Sequence, residues 1–476
     1  MYKATIGLEI HCEFESNSKV FSPAVNGYTD EPNSLIAYQD LGFPGILPIL
    51  NKKSIEQALK VSMALNCKTP DEIIFDRKNY YYPDLPKGYQ ITQYTKPVGV
   101  NRYIDIELKD GIKRVTIQDI HLEEDTASLD HYDSYSLIDY NRAGVTLAEM
   151  VTVPCRHSKE EALKLLETYR SLIVYWGVSE ARSDRGQMRC DVNISLSKTD
   201  ELGCKVEIKN INSFYNVGRA IDFEIQRQIE ILNAGGTIEQ ETRRFDDETG
   251  ETFRMRSKVD AIDYKFFIEP NIPSTPVTDE WLEEIRKTIP MLQLQRKQKY
   301  MDEYDLSAYD SEVLVKVKEN SDFFQNCVDL GAEPKKACNW VTGMLMGYLN
   351  EKELKIEQVP VKPVMIKELI DLIDNKTISS KQAKEVFSDM IESGKMPSVI
   401  IKEKGMMQIT DDSAIKDVIM EVLKENDAQA REYNPEKTRM IDFFVGQVMK
   451  KTRGKANPAK TMEMLREELL KYGKED

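Results

Sequence analysis

The sequence predicts an α+β fold built on a mostly antiparallel sheet, followed by an all-helical C-terminal part. Three observations carry this expectation. Over the first ~290 residues strand-like runs and turns outnumber helical patterns. The proline-rich stretch Glu269-Pro-Asn-Ile-Pro-Ser-Thr-Pro276 then marks a change of character. Beyond about residue 293 nearly every periodic segment is helical and rich in Glu, Lys, Met and Leu.

Each element has a local reason. Ile6, Leu8, Ile10, Cys12 and Phe14 alternate with Gly7, Glu9, His11 and Glu13, the period-two pattern of a half-buried strand. Ser54 with Gln57 has the spacing of a capping box and predicts a helix start. Strand-like runs follow at 102–108, 113–124, 136–140 and 146–153. Ser158 and Glu161 repeat the capping device before Ala162, Leu165, Leu166, Tyr169, Leu172, Ile173 and Trp176, and Gly177 is placed to stop that helix. A strand at 190–196 and a helix from Val217 to Leu232, ending at Gly235-Gly236, complete this part. Further on, Ser379 or Ser380 caps a helix through Met390, and Asp411–Lys424 and Thr438–Lys451 read as helices. With a break at Gly405, the expected domains are 1–292, 293–405 and 406–476.

The chain has 476 residues, 41% of them hydrophobic and 30% charged, with a mean hydropathy of −0.48. That is enough apolar material for two or three cores and excludes general disorder. No run approaches the ~18 apolar residues of a membrane span, and the first residues lack the apolar core of a signal peptide. The seven cysteines contain no Cys-x-x-Cys pair. A cytoplasmic protein with reduced thiols and no cysteine zinc site is expected.

The formal charge is −15, yet it is unevenly spread. Lys450, Lys451, Arg453, Lys455 and Lys460 form a basic run with no acid among them. Such a run is either a solvated helix end or a surface that binds phosphate.

Three stretches place carboxylates together. Glu9, His11 and Glu13 share a strand face. His121-Leu-Glu-Glu-Asp125 adds three acids and a histidine. Glu149 interrupts the apolar stripe Leu147, Val151, Val153. A buried carboxylate must be paired, protonated or metal-bound; oxygen-rich clusters suit Mg²⁺ or Mn²⁺, and histidine among the carboxylates leans towards Mn²⁺ or Zn²⁺. An edge strand with its polar face in water fits the same spacing. The loop Lys78-Asn-Tyr-Tyr-Tyr-Pro-Asp-Leu-Pro-Lys-Gly-Tyr-Gln-Ile-Thr-Gln93 offers Lys78 and Lys87 to an anion and tyrosines to a ring, or is simply a proline-braced surface loop. The sequence has no phosphate-binding P-loop, no dinucleotide fingerprint and no nucleophile elbow.

Taken together, these stretches resemble the B subunits of tRNA-dependent aspartyl/glutamyl amidotransferases. The resemblance runs through Gly7-Leu-Glu-Ile-His11, Lys78–Gln90, His121–Asp125, Asp139-Tyr-Asn-Arg-Ala-Gly144, Arg189-Cys-Asp-Val-Asn193, Glu207-Ile-Lys-Asn-Ile-Asn-Ser-Phe214, Gln240-Glu-Thr-Arg-Arg244 and Gly454-Lys-Ala-Asn-Pro458. It implies a cradle-shaped domain like that of glutamine synthetase, a helical domain and a small tail that holds tRNA through Lys450, Lys451, Arg453, Lys455 and Lys460. It also implies an ATP- and Mg²⁺-dependent ligase, with Mn²⁺ as the alternative ion. That enzyme phosphorylates the side-chain carboxylate of Asp-tRNA(Asn) or Glu-tRNA(Gln), and ammonia then displaces phosphate. By this resemblance Glu9, His11, Glu124 and Glu149 hold the metal. Lys78 and Lys87 lie near the ammonia path, and Tyr81, Lys87, Tyr89 and Asp191 meet the nucleotide. Ammonia comes from an amidase (A) subunit, joined by a small C subunit, and no structural zinc is expected.

The family pattern is broken at Ser128 (usually Lys), at Arg185 (usually an acid), and at Val259, Lys265 and Asn271. These departures admit two other readings: a catalytically weakened relative acting as tRNA-binding or assembly scaffold, and a ligase with another acceptor.

Overall fold

The computed structural model describes residues 2–154, 158–211, 213–257, 263–406, 412–433, 438–452, 456 and 458–472. The chain divides into two compact units, Met1–Met291 and Leu292–Asp476.

The first unit contains β1 (Lys3–Glu13), α1 (Lys52–Ala64), β2 (Glu72–Ile73), β3 (Asp76–Asn79), β4 (Tyr89–Thr92), β5 (Gly99–Leu108) and β6 (Gly111–Glu124). It continues with β7 (Ser128–His131), β8 (Ser136–Asp139), β9 (Thr146–Thr152), α2 (Lys159–Tyr175), β10 (Met188–Ser197), β11 (Val206–Ile211), α3 (Phe214–Asn233), β12 (Glu241–Phe245) and β13 (Thr252–Ser257). Eight strands form one sheet in the order β13-β12-β11-β10-β1-β9-β6-β5. Its pairs are antiparallel except β11–β12. Parallel strands need a long crossover, and α3 lies between those two in sequence. β7 and β8 form a separate two-stranded hairpin.

Strand alternation sorts the sheet into two faces. Ile6, Leu8, Ile10 and Cys12 of β1 are buried together with Ile120 and Leu122 of β6, Ala148 and Met150 of β9, and Val192 and Ile194 of β10. Helices α1, α2 and α3 pack on the sheet and cover this apolar face. Each fully buried aliphatic side chain contributes about 1.5–3 kcal/mol.

The helix caps follow the sequence with one correction. Ser158 and Glu161 form the expected capping box of α2, and Gly177 follows at φ +64°. The start of α1, however, is capped by Asn51, whose side chain accepts from the Lys53 amide at 2.8 Å. Ser54 is buried and bonds Thr146 Oγ1 at 2.8 Å instead. A strong N-cap residue outside the helix wins, because the serine hydroxyl has a tertiary partner.

Every regular element described from Gln293 to Tyr472 is helical. Ser379 forms a capping box with Gln382, and that helix runs on to Ser393, where Gly394 at φ +66° closes it. A π-helical turn, Trp340–Leu345, interrupts an otherwise α-helical stretch. This unit holds two hydrophobic clusters, one spanning Tyr300 to Ile401 and one spanning Ile415 to Leu469. Among the described residues no helix is long and apolar enough to cross a membrane.

Candidate active site

The sheet face opposite the apolar one carries the charged residues. In register, His11 of β1 lies beside Glu149 of β9, and Glu149 lies beside His121 of β6. On the other side of β1, Glu9 meets Asp191 and His11 meets Arg189 of β10, while Asn193 of β10 meets Glu207 of β11. Antiparallel pairing thus folds five distant segments into one polar patch.

Two groups within it are compact. Ligand atoms of His11, Glu123 and Glu149 lie within 4.8 Å of one another, as do those of Glu9, Asp191 and Glu207. In the first group His11 Nε2 is 3.4 Å from Glu149 and 4.0 Å from Glu123. His121 Nε2 is 3.1 Å from Glu149, and its Nδ1 is 2.8 Å from Asp119. Burial alone would raise the Glu149 carboxyl, but His11 and His121 outweigh it and hold it well below the usual carboxylate range. Burial disfavours charge on His121 as well, yet Asp119 and Glu149 push its pKa up to about 10. His11 is raised for the same reason, with Glu149 overcoming burial.

In the second group Asn193 Nδ2 donates to Glu9 at 2.9 Å. Lys209 Nζ lies 2.9 Å from Asp191 and 3.0 Å from Glu207. Burial and the nearby Glu149 raise the Glu9 carboxyl. The groups therefore differ in what they ask for. Lys209 already balances Asp191 and Glu207, whereas an imidazole and two carboxylates converge in the first group as donors suited to Mg²⁺ or Mn²⁺.

The expected metal set is therefore not one cluster. The structure brings His11 and Glu149 together and adds Glu123, which the sequence reading passed over. Glu9 belongs to the second group, with Asp191. Glu124 points away from this group towards β4, where both its oxygens lie 2.5 Å from Lys87 Nζ and it accepts from the Ile91 amide at 2.8 Å. Strand parity was the usable signal: His121 and Glu123 are two apart and share a face, and Glu124 does not. Nothing local in the sequence marked Asn193 as a partner of Glu9, or Lys209 as a partner of Asp191 and Glu207.

Lys87 and Tyr89 line a cavity of about 250 Å³ with Arg77, Tyr38, Phe43 and Asn271. Arg77 stacks 4.0 Å from the Tyr89 ring centroid and pairs with Glu269. Arg77 was not singled out from the sequence. Lys78 turns away from this cavity towards the Tyr264 ring, 5.0 Å from its centroid, and Tyr81 is 95% exposed. In the basic run, Lys450 is exposed and Lys451 pairs with Glu421 at 3.0 Å and with Glu425 at 2.5 Å. Lys460 is half-buried, and Arg453 and Lys455 lie outside the described residues.

Two of the departures from the family pattern lie together. Ser128 and Arg185 line one cavity of about 280 Å³ together with Glu13, Glu15, Asp139 and Arg142. Asn271 lines the other. Lys265 adopts φ +47° and pairs with Asp263, and Val259 lies outside the described residues.

Comparison with known proteins agrees over the whole length. Residues 4–283 match the family model of the GatB/GatE catalytic domain, and residues 322–469 match that of the GatB domain. The B subunit of the aspartyl/glutamyl-tRNA(Asn/Gln) amidotransferase of Persephonella marina is 47% identical over 473 residues, covering 99% of this chain and 100% of its own. The proteins of the same name from Carboxydothermus hydrogenoformans and Geobacillus thermodenitrificans are 44% and 45% identical, each over 99% of both chains. By length, order and identity, the chain belongs to the family of aspartyl/glutamyl-tRNA(Asn/Gln) amidotransferase B subunits.

Proposed function

We propose that this chain activates an acidic side chain for amide formation. ATP phosphorylates the side-chain carboxylate of aspartate on tRNA(Asn) or of glutamate on tRNA(Gln), and ammonia then displaces phosphate. The observation that carries this reading is the convergence of His11, Glu123 and Glu149 on the open face of the sheet. These three would hold Mg²⁺ or Mn²⁺. Such an ion, when bound, neutralises phosphate charge as the acyl phosphate forms.

The chain's own residues prepare that site. Glu149 is kept ionised by its two histidines. His121, fixed through Nδ1 by Asp119, orients Glu149 as a partner behind the ligand. Lys209 holds fixed positive charge beside Asp191 and Glu207. The resemblance assigns Lys78, Lys87, Tyr81, Tyr89 and Asp191 to the nucleotide and ammonia path. That Lys87 and Tyr89 share a cavity with Arg77 supports this part of the assignment.

One helix-covered face and one open polar face support a cradle of the glutamine synthetase kind. The two hydrophobic clusters of the second unit support separate helical (293–405) and tail (406–476) domains. The tail's basic run is assigned to the tRNA body.

The amide nitrogen comes from a partner amidase subunit, joined by a small third subunit. At neutral pH free ammonia is mostly non-nucleophilic ammonium, so passage inside protein is physically sensible. The purified chain should therefore amidate charged tRNA with concentrated ammonium at raised pH, but not with glutamine. Adding the amidase subunit should restore glutamine use. Glutamine hydrolysis by the chain alone would overturn this division of labour.

A further inference from the structure

The cavity that contains both Ser128 and Arg185 adjoins the reactive patch. Glu13 lines it and stands two residues from His11 on the same face of β1, about 7 Å along the strand. Its walls carry both signs of charge, and most of that charge is already committed. Arg142 donates from Nε to the Thr126 carbonyl at 2.9 Å and from Nη2 to the Ala127 carbonyl at 3.0 Å. Asp139 accepts from the Asn33 and Asn141 amides, both at 2.9 Å. The Glu13 carboxyl faces Asp125 and the guanidinium groups of Arg189 and Arg142.

Two groups are held less firmly. The Arg185 side chain makes no hydrogen bond among the described residues. Its Nη1 is 3.8 Å from Glu180, and its guanidinium lies 4.8 Å from the Tyr28 ring centroid. The exposed Glu15 carboxylate forms no ion pair among the described residues. A cation held only by one long ion pair and a ring face, and an anion with no ion pair among the described residues, line the same cavity and suit a ligand that carries a carboxylate and an ammonium.

An acidic aminoacyl ester has those two charges and no third, since its α-carboxyl is esterified. The end of an uncharged tRNA offers neither ammonium nor carboxylate, and a nucleoside triphosphate offers only negative charge.

We propose that this cavity receives the aspartyl or glutamyl group at the end of tRNA, with Arg185 against its side-chain carboxylate and Glu15 against its α-ammonium. The inference rests on the aminoacyl-tRNA reading above and adds the pocket and its two recognition residues. A carboxylate has two oxygens, so one accepts from Arg185 while the other faces the Glu13–His11 edge of the patch. The two substrates differ by one methylene, so the position of Arg185 sets which side chain presents its carboxylate best.

The test uses the assembled complex with ammonium as nitrogen donor. kcat and KM are measured for Asp-tRNA(Asn) and Glu-tRNA(Gln) with the wild type, Arg185→Gln, Arg185→Lys and Glu15→Gln, alongside the Kd of uncharged tRNA. Arg185→Gln and Glu15→Gln should each raise KM for charged tRNA about tenfold or more. Arg185→Lys should recover part of that loss, because it restores the charge without the fork. The preference between the two substrates should change in Arg185→Gln, and uncharged tRNA should bind within about twofold of wild type. Unchanged KM values would overturn the pocket, as would an equal loss of charged and uncharged tRNA affinity. A wild-type complex that amidates neither substrate would instead bring down the functional reading, and the pocket with it.

Discussion

The Glu149 carboxylate lies 3.1 Å from His121 Nε2 and, on its other side, 3.4 Å from His11 Nε2. A carboxylate in the middle of an eight-stranded sheet is costly unless partnered, and here two imidazoles from neighbouring strands partner it. Both imidazoles hold their protons more firmly than an ordinary histidine, and so counter the carboxylate within the sheet.

Glu149→Gln and Glu123→Gln each remove a negative oxygen donor at constant size. Both should lower tRNA-stimulated ATP cleavage by the assembled complex roughly 100-fold or more, while uncharged tRNA binds as before. Wild-type cleavage rates at limiting Mg²⁺ would rule the cluster out as the metal site.

Glu124→Gln should behave differently, as a stability variant. It leaves the Lys87 ammonium without its counter-charge, in a place where Lys87 keeps little contact with water. We expect a loss of about 2 kcal/mol, below the ~3–5 kcal/mol of a fully buried pair, measurable by urea denaturation. A variant as stable as wild type but inactive would move Glu124 back to the metal.

Mn²⁺ affinity should depend on pH with a definite sign. His11 holds its proton more firmly than an ordinary histidine, because Glu149 outweighs burial. An incoming ion must displace that proton, so apparent affinity rises with pH, up to about tenfold per unit for each proton released. The rise ends once the pH passes the raised value of the histidine. Calorimetric titration in buffers of different ionisation enthalpy counts the protons, and zero release would refute the assignment of His11.

Lys19 and Asp40 form an ion pair with both side chains buried, Nζ to Oδ2 at 3.3 Å. Asp40 also accepts from Ser22 Oγ at 3.1 Å and from the Ala37 amide at 2.8 Å. Asp40→Asn should cost about 3–5 kcal/mol, and Lys19→Met with Asp40→Leu should recover most of it. Gly144→Ala should also destabilise, since Gly144 has φ +81° and a Cβ there would sit 2.6 Å from Asp40 Oδ1. Thermal melts of the three variants decide the matter.

Replacing Lys450, Lys451, Arg453 and Lys455 by Ala should weaken tRNA binding and flatten its salt dependence. Each phosphate contact contributes about one unit of slope. Lys451 is held by Glu421 and Glu425, so the expected change is about three units rather than four. An unaltered slope would make the run a solvated helix end.

The sequence alone determined much of the scaffold. Alternation in β1 put Glu9, His11 and Glu13 on one face, and the structure keeps them there. Ser158 with Glu161 made the capping box its spacing announced, and Ser379, one of the two serines expected to cap its helix, does so, because a cap involves only neighbours in the chain. The ordered motifs led to the family, which the full-length relatives bear out. Tertiary structure alone decided which charged residues meet. Glu149 reaches His11 and His121 only through the register of β9 with two flanking strands, and Glu9 meets Asp191, and Asp191 meets Lys209, only through β10 and β11. Ser54 lost its expected role to Asn51 through a contact with Thr146, 92 positions away. Strand parity fixes the face a side chain takes and can be read along the chain. The partner across the sheet is set by register between distant segments, and no local pattern encodes it.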